Sequence, residues 1–370
     1  MRIPDFELER YFARHEFSTP YQLGCSDCET FSVGEILALE DGAADPLMEL
    51  RLHYTAPQGH QSLREAIAGR YEHIEPDQIL VHTGAEEAIF NFMYVALNPG
   101  DHVIVHWPCY QSLFQVAADI GCQVDRWEAL AANGWRLDLE DLVKRLRPET
   151  RVVVINSPHN PTGWLMPAST GQALLELSQQ YGFIIFSDEV YRFLEYNPAA
   201  RPPAFCDISP QAVSLGVMSK SYGLPGLRVG WIATRNHRVY QKMAAFKDYT
   251  TICNSAPAEY LATIALRHSE KLIGRNLNLI RENLAKLDAF FGRHPDILSW
   301  RPPQAGPIAF PSLTGDRSAE NFCLDLLEKA GVLILPGMVY GNEYQGHVRI
   351  GFGRKNLPDC LDRWAKYLGG

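Results

Sequence analysis

An apolar run at residues 213–218, Val-Ser-Leu-Gly-Val-Met, delivers a single lysine, Lys220, into a turn built from Gly223, Pro225 and Gly226, and apolar sequence resumes after Arg228. The pattern is strand, tight loop, strand, with a cation at each edge of the loop. A lysine so placed is shielded on its strand side and open on its loop side, a setting in which an amine sheds its proton and attacks a carbonyl. Arg228, on the far side of the loop, offers a fixed positive fork suited to a phosphate. A plain strand connection whose lysine points at water fits Ser-Lys-Ser equally well, so the reading depends on what the rest of the chain supplies.

The rest supplies short apolar strands alternating with amphipathic helices. Strands are expected at 79–82, 102–106, 124–127, 152–155 and 183–187, with helices at 83–97, 112–120, 138–146 and 170–181 between them. With 370 residues the chain has room for a large α/β domain and a smaller one. A helical stretch at 269–291, with Leu272, Leu279, Leu284 and Leu287 on its apolar side, joins the two. Strands at 308–310, 332–335 and 347–352 and a helix at 319–329 follow, and the N-terminal arm carries helices at 6–12 and 33–39. The expected division is an arm at 1–45 that belongs to the smaller domain, a large domain at 46–270 and a small domain at 271–370.

Hydrophobic residues make up 46% and charged residues 21%, a composition that excludes a disordered chain. A net charge of −9 gives nucleic-acid backbones no general attraction. No apolar run approaches the roughly 20 residues of a membrane helix, and the N-terminus lacks a signal-peptide core. The expectation is a cytoplasmic protein with reduced cysteines and neither membrane nor nucleic acid as partner. Cys25 and Cys28 form a Cys-x-x-Cys without the second pair of a zinc site. His102 and His106 share one strand face with no carboxylate or third histidine in view, so no metal is expected there.

Several turns carry more than connection. Thr83-Gly-Ala-Glu-Glu-Ala88 is a small-residue turn opening a helix, where unpaired N–H groups and the helix dipole suit an anion, although many such turns hold no ligand. Asn156-Ser-Pro-His-Asn160-Pro-Thr-Gly163 fixes its backbone with two prolines and a glycine and holds the Asn160 amide still. Asp188 follows an apolar strand at the carboxyl edge of a parallel sheet, where ligands bind, with helix capping as the plainer use. Arg349 lies in an apolar strand, costly unless it meets an anion. Tyr54 to Arg64 reads as a turn leading to a helix capped by Ser62.

Taken together and in this order, Tyr54-x(4)-Gly59-x(3)-Leu63-Arg64, Gly84-Ala85-x-x-Ala88, Pro108-x-Tyr110, Asn156 to Gly163, Asp188-x-x-Tyr191, Lys220 to Arg228 and Arg349 resemble the fold-type I pyridoxal-phosphate aminotransferases of class I/II. The resemblance covers residues 54–352. It implies a large domain with a mostly parallel seven-stranded sheet flanked by helices, a smaller α+β domain, and a homodimer that binds pyridoxal 5′-phosphate. It implies that Lys220 holds the cofactor covalently and shuttles the substrate proton. By the same resemblance Asp188 holds the ring nitrogen, Asn160 and Tyr191 meet the ring oxygen, and Tyr110 lies on the ring. The phosphate falls to the Ala85 and Glu86 N–H groups, Ser219 and Arg228, with Tyr54 reaching across the dimer to the neighbour's phosphate. Arg349 takes the substrate carboxylate, beside Asn160 and Gly24.

Two departures stand out. Val217 occupies a position where many members carry a phosphate-binding serine, and Leu23-Gly24-Cys25-Ser26-Asp27 replaces the usual Gly-x-Pro of the arm that lines the substrate pocket. The implied function is transfer of an amino group between an amino acid and a 2-oxo acid. A cyclase, lyase or oxidase would use the same site residues, and Asp27 and Glu29 make an arginine-like substrate conceivable for it. A non-catalytic cofactor-binding module, as in certain transcription factors, is disfavoured by the lack of a basic stretch.

Overall fold

The computed structural model describes residues 3–369. Seven strands, Ile79–His82, His102–Trp107, Gln123–Glu128, Thr150–Asn156, Ile184–Asp188, Val213–Val217 and Gly230–Ala233, form one sheet. Across it they run in the order 79–82, 230–233, 213–217, 184–188, 150–156, 102–107, 123–128. Neighbours are parallel except around Gly230–Ala233, which is antiparallel to both partners.

Side chains alternate between the two faces with the period of two that a pleated strand imposes. Val103, Val105, Val152 and Val154 pack in one core with Phe92 and Phe186. Ile104, Val153 and Ile155 pack in the other with Trp127, Leu174 and Phe183. Burial on both faces demands helices on both faces. Gly84–Ala96 packs against Ser112–Ile120 and His237–Lys247, and Leu139–Arg145 against Ala168–Tyr181.

Since the parallel strands share a direction, their ends at Trp107, Asn156, Asp188 and Val217 come out at one edge, where open α/β sheets bind ligands. The registers His82↔Gly230 and Val217↔Gly230 bring the start of the antiparallel strand, and Arg228 before it, to that same edge.

Beyond the sheet, the 25-residue helix Ser269–Arg293 leads to three antiparallel strands, Ile308–Ala309, Val348–Gly351 and Leu335–Pro336. Helices Ala319–Ala330 and Leu357–Gly369 pack together beside them. Trp364, Phe290 and Phe291 are buried at their centre. The arm folds back onto this part: Tyr21–Gln22 runs parallel to Val332–Leu333, Leu23 N–H donates to the Leu333 carbonyl at 2.8 Å, and Gly351 N–H donates to the Leu23 carbonyl at 2.6 Å. Among the described residues no helix is long and apolar enough to cross a membrane.

Three local expectations change. The strand expected at 332–335 divides into Val332–Leu333 and Leu335–Pro336, because its halves pair with different partners, the arm and Val348–Arg349. The helix expected to be capped by Ser62 is Gln61–Ala68, with the His60 ring accepting from Ser62 N–H. Ala256–Arg267 is an unanticipated helix, since most of its residues are buried and it lacks the polar face that marks a surface helix.

Trp364→Ala is expected to cost about 3–5 kcal/mol of unfolding free energy, whereas Leu324→Ala, at a 40% exposed site on the neighbouring helix, costs well under half of that. Chemical denaturation of the two variants checks the contrast.

Candidate active site

A cavity of about 550 Å³ opens at the carboxyl edge of the sheet. Lys220, Asp188, Asn160, Tyr191, Tyr110, Ala85, Glu86, Ser219, Arg228 and Arg349 all line it. Gly24 touches it through Arg349, whose Nη2 donates to the Gly24 carbonyl at 2.7 Å. Tyr54 lies elsewhere and is 82% exposed.

At one end of the cavity the helix Gly84–Ala96 begins, and its first N–H groups, those of Ala85 and Glu86 included, lack carbonyl partners within the helix. Gly84 has φ +82°, and a Cβ there would stand 3.1 Å from Arg228 Cζ. A Cβ on Gly230 would stand 2.6 Å from the Gly84 carbonyl carbon. Two glycines therefore let the helix start, the last strand and the arginine close on one point. Ser219 is buried there, and Val217 adds no hydroxyl.

Asp188 ends its strand 5% exposed, and its Oδ1 accepts from Val190 N–H at 3.2 Å. Burial pushes its carboxyl up to about 7, with the Val190 N–H and Lys220 pulling the other way. Beside it, Asn156 donates through Nδ2 to the Asp188 carbonyl at 3.0 Å and accepts from Asn160 N–H at 2.6 Å. The Asn160 Oδ1 accepts from Tyr340 Oη at 2.9 Å and from Arg349 Nη1 at 3.2 Å. With that oxygen engaged twice, the amide orientation is fixed and Nδ2 is the free donor.

Lys220 Nζ donates to Ser26 Oγ at 2.8 Å. Burial lowers the pKa of the amine; Asp27 opposes the shift and Arg349 adds to it. Tyr191 donates its single proton to the Ser26 carbonyl at 2.9 Å, so a bond to a ring oxygen requires the hydroxyl to turn. Arg349 is 1% exposed, its Nε has no partner, and among the described residues no carboxylate pairs with it.

The site thus holds a carboxylate raised by burial, a lysine lowered by it, unpaired helix N–H groups beside an arginine, and a buried guanidinium without an anion. Pyridoxal phosphate supplies a ring N–H⁺, an aldehyde and a phosphate to match the first three, and the fourth suits an amino-acid carboxylate. Fold and site place the chain among the fold-type I pyridoxal-phosphate enzymes.

The family model for aminotransferase class I and II matches residues 41–359. The chain is 30% identical to the capreomycidine synthase of Streptomyces vinaceus over 373 residues, covering 99% of this chain and 94% of that one. A crystal structure of a pyridoxal-phosphate-dependent aminotransferase from Streptococcus suis superposes with a TM-score of 0.94 at 32% identity, covering 100% of this chain and 98% of that one. The pyridoxal-phosphate-dependent cyclase OrfR superposes with a TM-score of 0.90 at 30% identity, covering 100% and 98%. The chain belongs to the class I and II aminotransferases, whose pyridoxal-phosphate chemistry moves an amino group between an amino acid and a 2-oxo acid.

Other expectations are corrected by the contacts. Asp27 forms a two-pronged pair with Arg354, at 3.1 and 2.9 Å, and the Glu29 carboxylate accepts from Lys355 N–H at 2.8 Å, outside the cavity lining. Asp27 lines the cavity with its charge matched by Arg354, and Glu29 does not line it. His102 does have a carboxylate, Asp125 at 3.2 Å, supplied by the adjacent strand. Cys25 and Cys28 are buried thiols pushed up to about 12 by burial. The sequence reading missed Ser26 and Tyr340. Ser26 sits in the same arm stretch as Gly24, which was the available signal, whereas nothing in the turn Gly337–Tyr340 marks its tyrosine.

The raised Asp188 carboxyl has a consequence for pH. An unfolded chain releases this proton near the ordinary 3.8 and the folded, cofactor-free one near 7, so stability is lost as pH rises through that window. The loss reaches about 4 kcal/mol at most. Asp188→Asn is expected to raise the melting temperature of cofactor-free protein above pH 7 and to leave it unchanged near pH 4. Calorimetry showing the same effect at both ends would contradict this.

Proposed function

We propose that the chain is a homodimeric, cytoplasmic aminotransferase with an arm at 1–45, a cofactor-binding domain at 46–270 and a small domain at 271–370. The observation that carries the assignment of residues is the gathering of Lys220, Asp188, Asn160 and Arg349 around one cavity. The eight free thiols, six of them buried, favour a reducing compartment.

In this reading Arg228, Ser219 and the Ala85 and Glu86 N–H groups take the phosphate. Asp188 would keep the cofactor's ring nitrogen protonated, Tyr110 would supply an aromatic face for the ring, and Asn160 Nδ2 and the Tyr191 hydroxyl would be the donors for the ring oxygen. When bound, the cofactor supplies a sink for the electrons left at the substrate Cα. Arg349 orients the α-carboxylate, with Asn160 and the Gly24 carbonyl holding the guanidinium in place. Lys220, its amine lowered by burial, takes and returns the Cα proton. The half-reactions follow one another, which gives ping-pong kinetics.

Lys220→Ala is expected to abolish the borohydride-fixable cofactor adduct and to lower turnover roughly 10²- to 10⁴-fold through loss of the proton shuttle alone. Normal turnover by this variant would remove the assignment.

Dimerisation is supported by a patch that a monomer has no use for. Met48, Leu52 and Tyr54 are more than four-fifths exposed, as is Tyr249. Thr55 Oγ1 donates to the Asn254 carbonyl at 2.9 Å, bringing the two exposed segments together. In a dimer Tyr54 completes the neighbour's phosphate site. Tyr54→Phe is expected to weaken cofactor binding roughly tenfold or more. Mixing it with inactive Lys220→Ala should yield hybrids with one intact site, and a mixture no more active than its Tyr54→Phe component would rule out the shared site.

A second reading, cyclisation of the amino acid, is favoured by the full-length similarity to OrfR. Product analysis separates the two: transamination leaves a 2-oxo acid, whereas cyclisation leaves the α-nitrogen in the product.

A further inference from the structure

Most charged groups around the cavity are accounted for. Asp188, Lys220, Arg228 and Arg349 belong to the reading above, and Asp27 pairs with Arg354. Glu86, pushed up to about 7 chiefly by burial, accepts from Ser112 Oγ at 3.2 Å. That leaves Glu9 and Glu16, both of which line the cavity.

Glu9 belongs to the helix Glu7–His15, and Glu16 follows its last residue. Both line the cavity, although His15, at φ −122°, takes the chain out of the α-helix between them. They flank the buried Leu8 and Phe12, while Arg10 and Arg14 are exposed on the other side. Among the described residues neither carboxylate forms an ion pair within 4 Å: Glu9 accepts from Tyr110 Oη at 2.8 Å, and Glu16 lies 3.7 Å from Cys25 Sγ, with the Arg354 guanidinium, held by Asp27, near enough to feel its charge. The helix is fixed across the cavity from both sides. Gln111 receives Glu7 N–H and donates to the Asp5 carbonyl, each at 2.9 Å, and Tyr11 Oη donates to the Ile334 carbonyl at 3.2 Å.

Arg349 supplies an independent sign of the ligand. It is 1% exposed, lines the same cavity, and has an unpartnered Nε and no anion. Its guanidinium carbon lies 5.8 Å from the Phe12 ring centroid, so the helix face bearing the two glutamates adjoins the carboxylate-binding end. Glu9 also stands close enough to Lys220 to raise the pKa of its amine. A ligand that satisfies all of these groups carries a carboxylate, an α-amine and a second positive charge further out.

We propose that Glu9 and Glu16 bind the cationic end of a basic amino-acid donor, a guanidinium or ammonium on a long side chain, and that the helix Glu7–His15 is the element that selects it. The inference rests on the aminotransferase reading and names its substrate class. A carboxylate fork suits a guanidinium in particular, while an acidic side chain would meet two like charges there.

The test compares kcat/KM for arginine, for its uncharged isostere citrulline and for aspartate, with one common 2-oxo acid acceptor, in the wild type and in Glu9→Gln/Glu16→Gln. The wild type is expected to prefer arginine to both others by at least tenfold. The double variant is expected to lower the arginine-to-citrulline ratio at least tenfold, mainly through KM. Calorimetric titration of arginine into cofactor-loaded Lys220→Ala, with and without the two glutamine substitutions, should show a matching loss of affinity without turnover. An unmoved ratio, unmoved affinity, or a wild type that prefers aspartate overturns the proposal and leaves the aminotransferase reading intact. A wild type that transaminates no amino acid removes that reading and the proposal with it.

Discussion

Three stretches far apart in the chain meet on one guanidinium. Arg349 donates to the carbonyl of Gly24 in the arm, to the Asn160 side chain at the sheet edge and to the Tyr340 hydroxyl in the turn Gly337–Tyr340. A buried cation with fewer donors engaged would be too costly to keep. Here the same bonds that make it tolerable also fix the Asn160 amide and press the arm against the sheet. The end of the cavity at Arg349 is therefore built by tertiary contacts, whereas the end at Asp188 and Val217 is built by the ends of neighbouring strands.

That difference decides what the sequence could convey. Lys220, Asn160 and Arg228 sit near strand ends within short segments whose glycines and prolines set the local backbone, and Asp188 directly ends an apolar strand, so their surroundings could be inferred from neighbours in the chain. Ser26 and Tyr340 also have glycines nearby, Gly24 and Gly337 with Gly341, but they lie in the arm and the small domain, and their places at the cavity follow from long-range packing. Asp27 shows the converse error. In sequence it is an acid in a pocket-lining arm, but Arg354, more than three hundred positions away, already holds it. His102 was misjudged for the same reason, because Asp125 reaches it from the adjacent strand. Strand boundaries followed this rule too: 332–335 reads as one apolar run, and only its two partners divide it.

Charges of both signs line the cavity: Arg228 beside the helix N-terminus, Asp188 and Lys220, Arg349, Glu9 on the covering helix and Glu16 just after it. Burial moves Asp188 and Lys220 toward each other in proton affinity, raising the acid and lowering the base. Opposed shifts of this kind are a mark of sites that move protons.

The arm has a consequence for how the molecule is made. Gly24 and Arg349 are 325 positions apart, and closing so long a loop costs about 3 kcal/mol more in chain entropy than closing one of ten residues. During synthesis the arm is made well before its partners, Val332–Leu333 and Val348–Gly351. The seven-stranded sheet has all its strands by residue 233, so in a nascent chain it is complete well before Tyr340 and Arg349, which join Gly24 to Asn160 at one end of the cavity, are made.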